Sequence, residues 1–202
     1  LPPEIGNLSN LSNLDLGGNS FDGNLPEEVG LMTSLDSLDL SENNFDGSLP
    51  AEIGNLSSLE SFDASGNTFS GSLPSEIGNL DNLEALYLSD NIFSGTLPSS
   101  IGSASSLEVL DLNNNTFEGS IPLELSNLTN LDVLDIGNND FSGQFSDLSS
   151  LIELTSLNVS NNNLSGELPN MPLFLDSLDL AGNSFDGSLP ENLLQLTQLQ
   201  LL

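Results

Sequence analysis

One pattern returns along the whole chain at intervals of 21 to 24 residues, and this period limits the possible folds more than any local motif does. Its copy at residues 38–56 reads LDLSENNFDGSLPAEIGNL. A unit of this size has too few inward apolar side chains to offset the conformational entropy lost on ordering. The sequence therefore predicts a solenoid, in which each turn buries its two flat sides against its neighbours. One Asn column marks the successive copies, at Asn19, Asn43, Asn67, Asn91, Asn115, Asn139, Asn162 and Asn183.

The L-x-L core of each copy predicts a short strand with one buried face. Leu38 and Leu40 face one way and Asp39 faces the other, because side chains alternate along a strand. One such strand per turn gives a parallel sheet. After the strand, the carboxamide of Asn43 offers donors and an acceptor to backbone groups of neighbouring turns. We therefore expect the Asn column to be buried and hydrogen-bonded.

The remaining columns predict an interior stack and a helical segment. Phe45 is expected to stack on Phe21 and Phe69, because the Phe column repeats with the same period. Pro50 stands where a helical turn would start, and Gly54 stands near its end.

The charge of the chain is entirely acidic. Its 202 residues include 30 Asp and Glu and no Lys, Arg or His, which gives a net charge of −30 at pH 7. This charge argues against a nucleic-acid partner, whose phosphates would be repelled, and against direct contact with an anionic membrane. There is no Cys, so disulfides and thiolate metal sites are excluded. Without His, Cys, Lys or Arg, most nucleophile–base pairs and oxyanion clamps are impossible, and we expect no enzyme activity.

The copy at residues 56–80, LSSLESFDASGNTFSGSLPSEIGNL, resembles the plant-type leucine-rich repeat. The resemblance implies an α/β solenoid, a curved right-handed superhelix with a parallel sheet on its concave side and short helical turns on its convex side. It also implies a second short strand at G-S-L-P. We expect residues 1–202 to form a single array of about eight repeats that lacks both caps. Members of this group are typically extracellular: ectodomains of receptor-like kinases and receptor-like proteins, polygalacturonase-inhibitor-like proteins and a plant ice-binding protein.

The residue inside L-x-L is Asp in six of the eight copies. Adjacent strands lie about 4.8 Å apart, so stacked carboxylates repel by about 1 kcal/mol in water and by more where the dielectric is lower. We expect relief from salt, divalent cations, protonation or a cationic partner. No cofactor is indicated, and the chain lacks the usual calcium loop pattern. The weak Ca²⁺ candidates are Asp15, Asp39 and Asp63.

The Asp column is interrupted by an apolar and aromatic group. Ala85, Tyr87, Val109 and Val133 fall on three adjacent predicted strands, where other copies have Ser or Asp. Asp111 and Asp135 border this group. The arrangement predicts a concave docking site for a protein, peptide or glycan partner with both apolar and cationic groups.

Two other functions remain open on the sequence alone. Acidic arrays bridged by Ca²⁺ would suit a structural or adhesive protein of a surface or matrix, and a ladder of small polar residues would suit ice binding. N-x-[ST] glycosylation motifs support an extracellular or cell-surface location. They occur at Asn7, Asn10, Asn55, Asn114, Asn127, Asn158 and Asn163.

Overall fold

Each turn of the chain forms two short strands, and most turns add a five-residue 3₁₀ helix. The computed structural model describes residues 1–200. The strands are β1 (Asn13–Asp15), β2 (Asp22–Asn24), β3 (Ser37–Asp39), β4 (Asn44–Asp46), β5 (Ser61–Asp63), β6 (Ser70–Gly71), β7 (Ala85–Tyr87), β8 (Ile92–Thr96), β9 (Val109–Asp111), β10 (Thr116–Gly119), β11 (Val133–Asp135), β12 (Asp140–Gln144), β13 (Ser156–Asn158), β14 (Asn163–Glu167), β15 (Ser177–Asp179) and β16 (Ser184–Asp186). The 3₁₀ helices span Pro3–Asn7, Glu27–Leu31, Ala51–Asn55, Ser75–Asn79, Ser99–Ser103, Leu123–Asn127 and Glu191–Gln195. No helix within residues 1–200 has the length and apolar character that crossing a membrane requires.

The odd-numbered strands form one eight-stranded parallel sheet in sequence order. Leu38 lies opposite Leu14 on one side and Phe62 on the other, so the middle residues of the strands line one core. From β3 to β15 this middle residue is buried and its two neighbours are half-buried. The predicted α/β solenoid with a parallel sheet on its concave side is confirmed. The outer face of this sheet is called the concave face below.

The even-numbered strands form a second edge of the solenoid, in which β2 pairs with β4 and the strands from β6 to β16 form a six-stranded parallel sheet. The predicted second strand is present, but it begins before the Gly of G-S-L-P, at the residues around Phe. The Asn44 N–H, for example, donates to the Phe21 carbonyl at 2.8 Å. In the second copy β4 ends at Asp46, whereas in the fourth copy β8 continues through Gly95 and Thr96. Gly47 and Gly95 both have a left-handed φ, +70° and +73°, which glycine adopts readily.

The predicted Phe stack is confirmed over six turns. Neighbouring rings from Phe21 to Phe141 have centroids 5.9 to 6.2 Å apart and planes within 9 to 15° of parallel. Leu164 occupies this column in the next turn, and the stack ends there. In the turn after that, Phe185 packs against Phe145 with the rings tilted by 58°.

The Asn column ties each turn to the one before it. Asn91 Nδ2 donates to the carbonyls of Leu88 and Ser89 in its own turn at 3.2 and 3.1 Å. It also donates to the Ala64 carbonyl of the preceding turn at 2.9 Å, and its Oδ1 accepts the Phe69 N–H at 2.9 Å. The same four contacts recur at Asn43, Asn67, Asn115, Asn139 and Asn162, which like Asn91 are 7 to 9% exposed. At the two ends of the ladder, Asn183 is half-buried and Asn19 is exposed.

The helical segments pack closely because of their Gly column. Pro50 is the residue before the Ala51–Asn55 helix, and its carbonyl accepts the Ile53 N–H at 3.1 Å. A Cβ on Gly54 would lie 2.4 Å from the backbone oxygen of Glu76 in the next helix. The same column holds Ser126, where the following turn has no helix between β12 and β13. Glycine is therefore present where a neighbouring helix requires it and absent where that helix is missing.

Candidate ligand-binding face

The outward side chains of the concave face form rows that run across the strands. The central row consists of Asp15, Asp39, Asp63, Tyr87, Asp111, Asp135, Asn158 and Asp179, each in register with the next. A second row, called the rim row, lies just before the strands. It consists of Asp36, Glu60, Glu84, Glu108, Asp132, Thr155 and Asp176. The two rows make the concave face acidic along most of its length.

Ala85, Val109, Val133 and Tyr87 lie together on this face and are called the apolar notch. The first three are in direct register on β7, β9 and β11. Tyr87 is paired with Asp63 on one side and Asp111 on the other. All four notch side chains are half-buried, so each keeps an accessible surface.

The notch has carboxylates on both of its long sides. Asp111 and Asp135 follow the valines on the same strands, and Glu108 and Asp132 precede them. The structure thus brings all six predicted ligand-binding residues into one surface. This surface can bury an apolar group and accept hydrogen bonds from cationic groups beside it.

Hydrogen bonds within each turn stabilise the central-row carboxylates, and the sequence analysis missed them. Asp39 Oδ1 accepts the N–H of Ser41 at 2.9 Å and its hydroxyl at 2.6 Å. Asp63 makes the same two contacts with Ser65. The expectation that relief must come from salt, cations, protonation or a partner was therefore incomplete. The D-x-S spacing was the available signal, because Asp commonly accepts from the backbone two residues onward.

Asp135 is the central-row carboxylate with two amide donors from neighbouring turns. Its Oδ1 accepts from Asn113 Nδ2 at 3.0 Å, and its Oδ2 accepts from Asn158 Nδ2 at 3.1 Å. Both amides lie close to Gly137, where an added Cβ would be 2.7 Å from Asn158 Nδ2 and 2.9 Å from Asn113 Nδ2. The absence of a side chain at position 137 leaves room for this bridge.

Asp111 is a half-buried carboxylate of the central row whose pKa is raised by its surroundings. Burial raises the pKa of the Asp111 carboxyl above its ordinary value of 3.8, and the charges of Asp135 and Asp90 raise it further. Hydrogen bonds from the Asn113 N–H and the Ser89 side chain lower the pKa of this carboxyl in part. Asp111 therefore binds its proton more readily in the folded chain than in the unfolded chain.

We expect Asp111→Asn to stabilise the fold at neutral pH by roughly 0.5 to 1 kcal/mol, because the substitution removes like-charge repulsion at strand spacing and retains an acceptor for the Asn113 N–H. A carboxyl whose pKa is raised on folding stabilises the fold below its unfolded pKa, and that contribution is lost as pH rises through the folded pKa. The advantage of the variant should therefore shrink as pH falls toward 3.8. Urea denaturation followed by circular dichroism at several pH values measures it.

Asp46→Asn is the matched control, because Asp46 is an exposed carboxylate on β4, away from the concave face. It should change stability less than Asp111→Asn at neutral pH. Equal effects of the two substitutions would show that general charge reduction, and not the position of Asp111, is responsible.

The three weak Ca²⁺ candidates lie side by side in the central row, since Asp15 is paired with Asp39 and Asp39 with Asp63. One oxygen of each is already engaged by its own turn. Within residues 1–200 there is no group of three acidic side chains close enough to hold a metal ion.

The glycosylation motifs differ in accessibility. Asn158 is half-buried, and its amide group bonds Asp135 while its carbonyl oxygen accepts from Ser160. A glycan on Asn158 would remove the contact with Asp135 and cover the concave face. The exposed motif residues are Asn7, Asn10, Asn55, Asn114, Asn127 and Asn163.

Two family models match the chain. Residues 81–141 match a leucine rich repeat model. A second leucine rich repeat model matches residues 10–32, 34–56, 58–80, 153–173 and 174–196. The comparison with curated proteins found no match.

Solved structures of plant proteins are similar to the chain over nearly its whole length. The plant peptide hormone receptor RGFR1, in complex with RGF2, is 36% identical with a TM-score of 0.96; the alignment covers 98% of this chain and 32% of that one. The Arabidopsis receptor kinase HAESA, in complex with the peptide hormone IDA and the co-receptor SERK1, is 36% identical with a TM-score of 0.89, covering 98% and 35%. A plant ice-binding protein is 31% identical with a TM-score of 0.88, covering 100% and 66%.

The chain spans about a third of the length of the two receptor structures. The family matches together cover most of the residues, and the structural likeness extends over nearly the whole chain. The chain therefore belongs to the leucine-rich repeat family and is a repeat array of the plant type.

Proposed function

We propose that the chain is a ligand-binding module that engages a peptide or protein partner through the concave face, with the apolar notch as the central contact. The observation that carries this proposal is the register of Tyr87 with Asp63 and Asp111, beside Ala85 and Val109. An aromatic side chain with aliphatic neighbours interrupts a row that is otherwise mostly carboxylate.

The similar structures support the class of function. Those of RGFR1 and HAESA are titled as complexes with RGF2 and with the peptide hormone IDA. By analogy we place this chain outside the cell or on its surface, and we assign it binding and not catalysis. Its lack of His, Cys, Lys and Arg agrees with that assignment.

The chemistry of the face favours a ligand that carries both apolar and cationic groups. Aromatic or aliphatic side chains of the ligand can pack into the notch, and Arg or Lys beside them in the ligand can reach Asp111, Asp135 or Glu108. The net charge of −30 would attract such a ligand from a distance. A glycan would reach the same face through its hydroxyl groups but would gain nothing from the charge.

The test uses three short N-acetylated peptides that alternate Arg with Leu, Arg with Ser and Glu with Leu. We expect the Arg–Leu peptide to bind more tightly than the other two in calorimetric titrations. The double variant Tyr87→Asp/Val109→Ser should weaken that binding by about tenfold or more, which corresponds to about 1.4 kcal/mol. The turn that contains β5 has Asp63 and Ser61 at the corresponding positions, so the double variant should fold.

This variant separates a mixed site from a purely electrostatic one, because it removes apolar surface and adds a negative charge. Tighter or unchanged binding of the Arg–Leu peptide by the variant would contradict the proposal. Ile92→Ser is the control, since Ile92 is an exposed apolar side chain on β8, away from the concave face. It should leave the affinity unchanged.

Ice binding is a second candidate, and the likeness to a plant ice-binding protein favours it. The small polar side chains that follow the second edge, such as Ser48, Ser72 and Ser120, are exposed and would form its surface. Measurement of thermal hysteresis in a solution of the purified chain tests this candidate. The Ca²⁺-bridged adhesive function has weaker support, because no group of three carboxylates converges within residues 1–200.

A further inference from the structure

A second apolar surface lies outside the concave face, on the loops that lead into β13 and β15. Ile152, Leu173 and Phe174 are 58, 51 and 58% exposed. Ser156 pairs with Ser177, an offset of 21 residues, so Ile152 and Leu173 occupy the same position in successive turns. Phe174 and Ile152 also line one shallow cleft with Glu153. These three apolar side chains are called the loop patch.

The loop patch departs from what the other turns have at the same positions. The loop reads L-x-x-L or a close variant in nine turns, and its first variable position is Ser, Thr or Asp in seven of them: Ser9, Thr33, Ser57, Asp81, Ser105, Thr129 and Thr197. Ile152 and Leu173 are the two exceptions. Packing does not explain them, because more than half of each side chain is exposed.

In the turn that contains Ile152, the acidic residues of the rim row and of the central row are also replaced. The rim row has Thr155 where five earlier turns have Asp or Glu, and the Thr155 hydroxyl donates to Asp132. The central row has Asn158 in the same turn, bonded to Asp135. Three separate columns therefore change together within one turn: the loop position becomes apolar and both acidic rows lose a charge. The turn of Ile152 is thus more apolar and less acidic than its neighbours, while Asp132 and Asp176 of the turns on either side stay in contact with Thr155.

We propose that the loop patch is a docking surface for a protein partner that presents an aromatic or aliphatic side chain flanked by Lys or Arg. Glu153 lines the cleft, and Asp132 and Asp176 each bond Thr155, which also lines it, so these three carboxylates supply the negative side of that contact. A second copy of this chain fits poorly, because it has no cation to offer and would bring another thirty acidic residues to the interface. An anionic lipid surface fails for the same electrostatic reason. This proposal does not rest on the apolar notch.

The test is selection of peptides from a random display library against the wild-type chain. Clones that combine Phe, Trp or Leu with Arg or Lys should be enriched. Because the notch would select the same chemistry, each enriched clone is titrated against both variants. One group of clones should lose affinity by about tenfold or more for the variant Ile152→Ser/Leu173→Thr/Phe174→Asn. This group should bind the variant Tyr87→Asp/Val109→Ser as tightly as the wild type, which separates the loop patch from the notch. Because Ser, Thr and Asn occur at these positions in other turns, the triple variant should fold, and circular dichroism verifies that it does.

Each other outcome overturns the proposal. If no clone depends on the loop patch, or if every clone depends on Tyr87 and Val109, the patch is not a docking surface. If NaCl does not change the affinity, the contact does not depend on Lys or Arg of the partner, and the proposal is wrong. A dimer in sedimentation that the triple variant abolishes would identify the occupant as a second copy.

Discussion

Asn91→Ala should lower the free energy of unfolding by about 4 kcal/mol, the largest effect that we expect from one side chain. Asn91 gives three hydrogen bonds to carbonyls of two turns and accepts one from the Phe69 N–H. Alanine leaves these buried backbone groups without a partner, and each costs about 1 kcal/mol or more. Because a turn of a solenoid contacts only its neighbours, the loss falls on one interface between turns. Urea denaturation followed by circular dichroism measures the change, since the chain has no Trp for fluorescence.

Asn19→Ala is the matched control for Asn91→Ala. Asn19 belongs to the same column but is exposed, and its amide donates to Leu16 and Gly17 of its own turn. We expect a change below about 1 kcal/mol, because water can replace these contacts. Similar losses at positions 19 and 91 would mean that the ladder does not stabilise the stacking of turns.

Gly54→Ala should destabilise the chain by about 3 kcal/mol, through overpacking and not through lost hydrogen bonds. The added Cβ would lie 2.4 Å from the Glu76 backbone oxygen and 2.6 Å from its Cβ. Backbone atoms cannot swing away as a flexible side chain does, so the helices Ala51–Asn55 and Ser75–Asn79 must move apart. The same denaturation measurement applies.

Ser126→Ala is the control for this column, because the turn after Ser126 has no helix against which a Cβ would clash. The substitution removes one exposed hydrogen bond, from the Ser126 hydroxyl to the Leu123 carbonyl. We expect a change within about 0.5 kcal/mol. No loss at position 54 would show that close approach of the helices is not what requires glycine. Ser126 already carries a Cβ, so a large loss at position 126 would show that substitutions in this column destabilise the chain for another reason.

The period of the sequence predicts the fold in detail because each column has one physical role. Spacing alone places Leu38 inside, Asp39 outside and Phe45 on Phe21, and the registers and ring distances agree. The second strand was predicted only in part, because periodicity does not show where within N-x-F-x-G-S-L-P a strand begins. Backbone pairing decides this, and the strand starts at the residues around Phe.

The candidate site was less predictable than the fold. The repeat fixes which residues of neighbouring strands are paired, so the sequence alone predicts that Ala85, Tyr87 and Val109 lie together. The hydrogen bonds that hold Asp39 and Asp135 were not recognised, since they depend on rotamers and on contacts between turns. The loop patch was overlooked because an apolar residue between leucines suggests core, and its exposure is evident from the structure alone.

The central claim is that the concave face binds its ligand at the apolar notch. Carboxyl footprinting with a carbodiimide and a small amine tests it most directly, because the chain carries 30 acidic residues and no Lys. With the N-acetylated Arg–Leu peptide bound, we predict slower labelling of Asp111, Asp135 and Glu108 and unchanged labelling of Asp46 and Glu52. Equal protection of Asp46 and Asp111, or protection of Asp46 and Glu52 alone, would contradict the claim.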